Sequence, residues 1–317
     1  MGRCASGLAT RLRCAASLTI TTMLGCAGAS PPPSTAAPPG SARSLAIVEA
    51  ELDRLVADGA TRAAIVVLDP RDGRVLAAAG RGGEGAGEVD RVLDVGSTIK
   101  PLAIAAALDA GLDPSRRFDG EGGTWTLDDG TVVRDLHPRE SFDARDAIVA
   151  SSNVGTAKIV DAVGEAPVRA MFEAVGVEAL TPGPWPARGA GIGTGTSLRR
   201  LAAAYAAFAN GGERVEPTAD GRGARRRVMS EATAARVLAM LEDAVGDEGT
   251  GGAARIDGHR VAGKTGTTRA GAALFAGIAP VEGARYVVAV RIDRPEGGWG
   301  GALAAPSFAR VAAALLE

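Results

Sequence analysis

Serine, lysine and threonine fall in three short runs that could carry acyl transfer. Ser97-Thr98-Ile99-Lys100 stands at the start of a helical stretch. Residues three apart on a helix share a face, and a helix N-terminus favours developing negative charge. Ser151-Ser152-Asn153 lies between helical stretches, and Lys264-Thr265-Gly266-Thr267 lies inside a strand-like run. A serine hydroxyl is a weak nucleophile until a base takes its proton. A lysine is that base only when neutral, which requires a pKa well below its reference of about 10.4. Lysine is scarce here: of 35 Lys and Arg residues only Lys100, Lys158 and Lys264 are lysine. Arginine cannot deprotonate, and its planar fork does not replace a compact ammonium. Lysine retained at 100 and 264 therefore marks those positions first. Lys158, on the helix after Asn153, reads as a solvated or structural charge.

Composition removes other chemistries. The chain has 317 residues, 46% of them hydrophobic, which is enough for a substantial core. A net charge of -2 and 3% aromatics do not suit a nucleic-acid surface. The two histidines, His137 and His259, sit in turn-like sequence and read as ordinary loop residues. The three cysteines, Cys4, Cys14 and Cys26, are all near the N-terminus, so no His/Cys set has metal-ligand spacing. Neither the Gly-rich stretch 81–87 nor that at 189–195 opens a helix after a strand, so no dinucleotide fingerprint is present. No metal or cofactor is expected.

The positioning elements follow from periodicity and turn chemistry. Leu45, Val48, Leu52, Leu55 and Val56 have helical spacing after Ser44. Two apolar runs, 63–68 and 75–79, flank Asp69-Pro70-Arg71-Asp72-Gly73 and predict a hairpin. Helical sequence covers 97–110, 143–163, 168–175, 198–210 and 231–245. Strands are predicted at 261–267, 272–279 and 285–292, and a last helix at 306–316. Strands first, helices in the middle and strands at the end predict an α+β fold. Its central antiparallel sheet would have about five strands, flanked by helices and an all-helical lobe.

Residues 1–26 read as an export signal: Arg3, Arg11 and Arg13, then a short apolar run ending in Met23-Leu24-Gly25-Cys26. That ending resembles a bacterial lipobox, with Cys26 as the lipidated residue. Residues 27–43, rich in Pro, Ser and Ala, read as a tether, and 44–317 as the globular domain. An extracytoplasmic, membrane-anchored location is expected.

Each catalytic run alone is weak, but the three in this order form the set found in β-lactamases and penicillin-binding proteins. The chain from Ser44 onward resembles the transpeptidase domain of penicillin-binding proteins, close to the class B division or elongation type. The hairpin at 65–79, the stretch Ala202–Gly212 and the segment from Lys264 to Pro306 also resemble that family. The resemblance implies that Ser97 attacks the penultimate D-Ala carbonyl of a peptidoglycan stem peptide, and that β-lactams acylate it. It implies Lys100 as base, with Lys264 near enough to depress its pKa. Ser151 would relay a proton to the leaving amine, and Asn153 would orient Lys100 and the substrate amide. Lys264, Thr265, Gly266 and Thr267 would bind substrate: Lys264 and Thr267 the terminal carboxylate, and Gly266 by letting the peptide backbone approach. The N–H groups of Ser97 and Thr267 would form the oxyanion hole.

There are departures from the family pattern. Val95 stands where Pro is usual before Gly-Ser, Ile99 where Phe or Met is usual, and Gly193-Thr194-Gly195 lacks a tyrosine. A chain starting at Cys26 would also lack the family's pedestal or glycosyltransferase domain. Two other readings therefore stay open. One is a non-turnover β-lactam or muropeptide sensor, or a scaffold for cell-wall synthesis proteins. The other is a serine β-lactamase or D,D-carboxypeptidase. For a lactamase, Glu165, Glu173 and Glu178 are the only glutamates between Asn153 and Ser197, and none lies in a suitable loop.

Overall fold

Both faces of the central sheet are buried, which explains why its strands read as continuous apolar runs rather than as alternations. The computed structural model describes residues 39–317; the export segment, Cys26 and tether residues 27–38 lie outside the described residues. The sheet contains β1 (Arg62–Leu68), β2 (Val75–Arg81), β3 (Ala262–Thr267), β4 (Ala273–Ala279) and β5 (Tyr286–Asp293). The order is β3-β4-β5-β1-β2, every pair antiparallel, so β3, with the Lys264–Thr267 run, is an edge strand. The expected five-strand α+β architecture is present.

The helices are α1 (Pro39–Ala57), α2 (Lys100–Asp109), α3 (Ala144–Val149), α4 (Asn153–Val163) and α5 (Glu165–Val175). They continue with α6 (Trp185–Gly189), α7 (Leu198–Ala209), α8 (Glu231–Asp243) and α9 (Ala305–Leu316). Alternate β1 residues serve different cores. Ala64, Val66 and Leu68 join Leu102 of α2, Leu201 of α7 and Val237 of α8. Ile65 and Val67 join Val48 and Leu52 of α1 and Phe308 and Val311 of α9.

Two boundaries differ from expectation. Helix α1 begins at Pro39, inside the segment read as tether, because proline is tolerated in a first turn, where its missing N–H has no helical partner. Helical sequence at 143–163 divides into α3 and α4. Asp143 caps α3 by accepting from Asp146 N at 2.8 Å, and Ser152 caps α4 by accepting from Gly155 N at 2.7 Å. Ser151 stands between them with φ +57°.

The two helices on the second face are tied together at Glu51. Its carboxylate accepts from Ser307 Oγ at 2.6 Å and Arg310 Nη2 at 2.8 Å on α9, and from Arg54 Nη2 at 2.7 Å on its own helix. Burial alone would raise the Glu51 pKa, but these hydrogen bonds outweigh it and hold the carboxyl at about 2, below its ordinary 4.5. The depressed value makes its stabilisation complete above the ordinary carboxylate range and lost as pH falls towards 2. Glu51→Gln should lose about 1–3 kcal/mol at neutral pH. In urea unfolding, the gap between variant and wild type should close as pH falls towards 2.

Candidate active site

The Ser97 run does not start as a regular α-helix. Gly96–Ile99 is a 3-10 turn, and α2 begins at Lys100. The backbone N–H of Lys100 donates back to Ser97 O and closes the turn, joining the two residues directly. The turn is pinned from several sides. Asp94 Oδ1 accepts from Gly96 N at 2.8 Å, and Val95 O accepts from Thr98 Oγ1 at 2.8 Å. Tyr205, fully buried on α7, donates to Thr98 O at 2.6 Å. That bond explains the one hydroxyl in the Ala-rich 202–212 stretch.

Lys100 is fully buried, and its Nζ donates to Ser151 O at 2.5 Å and lies 3.5 Å from Ser151 Oγ. The helix break makes this possible. In a continuous helix Ser151 O would accept from Gly155 N. Here Gly155 N is taken by Ser152 Oγ, and the left-handed Ser151 presents its carbonyl to the ammonium. Burial lowers the Lys100 pKa from 10.5 to about 7, while the Asp135 carboxylate acts in the opposite sense. Lys264 is also fully buried. Burial, and then the charge of Lys100, push it well below the ordinary lysine range.

Lys264 Nζ lies 3.3 Å from Thr265 Oγ1 and 3.5 Å from Thr250 Oγ1, and the two hydroxyls are 2.6 Å apart. Thr267 Oγ1 accepts from Gly300 N at 3.2 Å. These groups meet at a cleft of about 480 Å³ whose lining includes Ser97, Ser151, Asn153, Thr265 and Thr267. Lys100 and Lys264 lie beneath that lining.

Two expected roles change. Asn153 does not reach Lys100 in this structure: its Nδ2 donates to Arg134 O at 2.6 Å, and Ser151 is what holds the ammonium. Gly266 is required by the protein's own packing. A Cβ there would stand 2.7 Å from Val95 O and 2.8 Å from Thr98 Cγ2, on the side of the Ser97 turn. A Cβ on Gly96 would stand 2.6 Å from Thr267 O, so the two backbones carrying the expected oxyanion donors lie against each other.

Several cleft residues carried no signal in the sequence. Thr250, Leu136, His137 and Trp299 all line it. Leu136 and Trp299 are unusually open for apolar groups, at 65% and 58% exposure. His137 is an exposed loop residue, as its turn sequence suggests, but the loop is a cleft wall. Gly300 follows Trp299 in a π-helical turn, Gly300–Ala304, a geometry that recurs at functional sites and was the one available flag. Asp135 is the one carboxylate among the lining residues. It accepts from Ser152 Oγ at 2.6 Å, Asn153 N at 2.5 Å and Val154 N at 3.0 Å. Glu165 and Glu178 pair instead with Arg169 and Arg200.

The fold thus sets a serine on a helix-opening turn, with a buried lysine one turn on, against a five-strand antiparallel sheet. The family described as penicillin binding protein transpeptidase domain matches residues 63–313, and the chain belongs to it. The chain is 31% identical over 296 residues to the probable peptidoglycan D,D-transpeptidase PenA of Neisseria gonorrhoeae, covering 78% of this chain and 50% of that protein. It is 32% identical over 257 residues to the probable peptidoglycan D,D-transpeptidase PbpC of Pseudomonas aeruginosa, covering 70% and 45%. It thus spans about half the length of the curated relatives it matches. Among solved structures, the transpeptidase domain of penicillin-binding protein 3 from Burkholderia pseudomallei superposes with a TM-score of 0.76. Sequence identity is 28%, and the match covers 87% of this chain and 94% of that one.

The Gly266 contacts make a direct test. Gly266→Ala should overpack the junction of β3 with the Ser97 turn and lower stability by about 1–3 kcal/mol with no ligand present. If Gly266 served substrate approach alone, thermal unfolding of the free protein would be unchanged.

Proposed function

We propose that the chain is a serine D,D-transpeptidase that acts on D-Ala-D-Ala stem peptides of peptidoglycan and is acylated by β-lactams. The observation that carries the reading is a fully buried Lys100, one turn after the cleft-lining Ser97, that is held by the Ser151 carbonyl. Neutral Lys100 takes the Ser97 proton as Oγ attacks the penultimate D-Ala carbonyl carbon. The N–H groups of Ser97 and Thr267 face the developing oxyanion. When the C–N bond breaks, a proton passes through Ser151 Oγ to the leaving D-Ala amine, and an acyl-serine remains. Lys264, Thr265 and Thr267 hold the terminal carboxylate, with Thr250 as a further hydroxyl. An acceptor amine then attacks the ester and regenerates Ser97. The engaged state of Asp135 supports slow hydrolysis, because no free carboxylate on the cleft wall is available to activate water. That favours transpeptidation over the β-lactamase reading.

The substrate places the domain outside the cytoplasm. No described helix is long and apolar enough to cross a membrane. We propose anchoring through a lipid on Cys26; Cys26→Ser should shift the native protein from the membrane fraction to the soluble one.

A fluorescent penicillin should label wild type covalently, and Ser97→Ala should not label. Labelling of Ser97→Ala at the wild-type rate would remove the nucleophile assignment. The acylation rate should rise with pH through about 7, as the Lys100 amine loses its proton. Lys100→Arg keeps the charge and loses the base, so acylation at saturating penicillin should fall about 10²–10⁴-fold. Lys264→Arg keeps a cation for the carboxylate and should chiefly weaken binding, by about 1–3 kcal/mol. Equal loss of saturating acylation in both variants would contradict the division of roles.

A further inference from the structure

The remaining lysine, Lys158, lies outside the cleft lining, yet it is only 17% exposed and doubly engaged. Its Nζ forms an ion pair with Glu121 and stands 4.9 Å from the centre of the Trp125 ring. Trp125 packs on a small core that includes Val133 and, from α4, Val154 and Ala157. Lys158 therefore joins α4 to the segment that precedes Asp135.

That segment is strained at the point where Lys158 grips it. Glu121, Gly122 and Gly123 all have positive φ, at 49°, 59° and 83°, and Glu121 has a side chain that disfavours this region. Such backbone persists only where its surroundings over-determine it. The turn is packed and hydrogen-bonded against the cleft-wall loop. Gly123 O accepts from Asp135 N at 2.9 Å, and Gly120 N donates to Glu140 O at 2.7 Å. A Cβ on Gly123 would stand 2.6 Å from Pro138 Cγ. The turn thus grips the loop on both sides of Leu136 and His137.

From Asp135 the path runs to the proposed base. The carboxylate fixes Ser152 Oγ and Asn153 N, which follow Ser151 directly, and Ser151 O receives the Lys100 proton donor. Every link is a hydrogen bond, an ion pair, a packed contact or a step of one or two residues along the backbone.

We propose that Lys158 is a positioning residue for acylation: by clamping Glu121 and Trp125 it fixes the 120–123 turn, and through Asp135 it sets Ser151 against Lys100. This inference rests on the reading of Ser97 and Lys100 as the acylating pair. It assigns the third lysine a task in which charge and reach matter, while the residue itself never touches substrate.

The test uses the full-length protein and a fluorescent penicillin. Lys158→Met keeps a straight apolar stem of similar helix propensity and removes the charge. Its melting temperature should stay within about 4 °C of wild type, since a single partly exposed ion pair contributes little. Its acylation rate at saturating penicillin should nevertheless fall about 10-fold, because small misplacement of reacting groups is expensive. The half-saturating concentration should change far less, since the carboxylate subsite is untouched. Lys158→Arg, which keeps a cation for both Glu121 and the Trp125 ring, should restore much of the rate. Hydrogen exchange at the Asp135, Asn153 and Val154 amides should be faster in Lys158→Met, and this readout does not depend on acylation.

Wild-type acylation and unchanged exchange in Lys158→Met would overturn the positioning role and leave the acylating pair intact. Faster exchange with unchanged saturating acylation would also overturn it, since the clamp would then be structural only. Failure of wild type itself to label would remove the acylating pair, and with it the role of Lys158. Should Lys158→Met not fold, Glu121→Gln breaks the same pair from the exposed side and carries the same expectations.

Discussion

Burial of the Lys100 amine beside a serine is the constraint on which the rest of this structure depends. An ammonium without water is strongly disfavoured, so the group either neutralises or finds a precise acceptor. Here both happen: its pKa falls to about 7 and the Ser151 carbonyl meets it at 2.5 Å. The carbonyl is free only because α3 and α4 are separate helices, and they are separate because Ser151 is left-handed and Ser152 caps the start of α4. The left-handed Ser151, the 3-10 turn at Ser97 and the Tyr205 bond to Thr98 all serve that one geometry.

A second lysine lies beneath the same cleft. The charge of Lys100 makes protonation of Lys264 harder still, whereas burial alone lowers Lys100, and among the described residues no carboxylate is hydrogen-bonded to either amine. Asp135 is near enough to act on Lys100, but its oxygens are committed to the start of α4. The arrangement keeps one negative charge close while denying it a salt bridge with the base. Stability is thereby given up at the site, and the two packed faces of the sheet offset the loss.

Much of this was legible in the sequence, for identifiable reasons. The five strands were readable because burial on both faces demands unbroken apolar runs such as Ala63–Leu68. The Ser97, Ser151 and Lys264 runs were readable because spacing within a turn or strand is local. The split at Ser151 was less so: Ala and Val on both sides favour helix, and what starts a new one is the Ser152 cap. The cleft walls were not legible at all. Leu136, His137, Thr250 and Trp299 sit on loops whose placement depends on distant partners, such as Gly120 against the Arg139 carbonyl. At Gly266 the sequence signals close approach without saying of what, and the Ser97 turn is one such neighbour.

The position of β3 at the margin of the sheet has a consequence for solution behaviour. A free strand edge is a template for pairing with any other strand, including one from a second copy of the same protein. Here that margin lies under walls built by Leu136 and His137 on one side and Trp299 on the other. A covered margin offers less bare backbone to another sheet than an open edge strand would. The loops that line the cleft thus double as edge protection for the sheet.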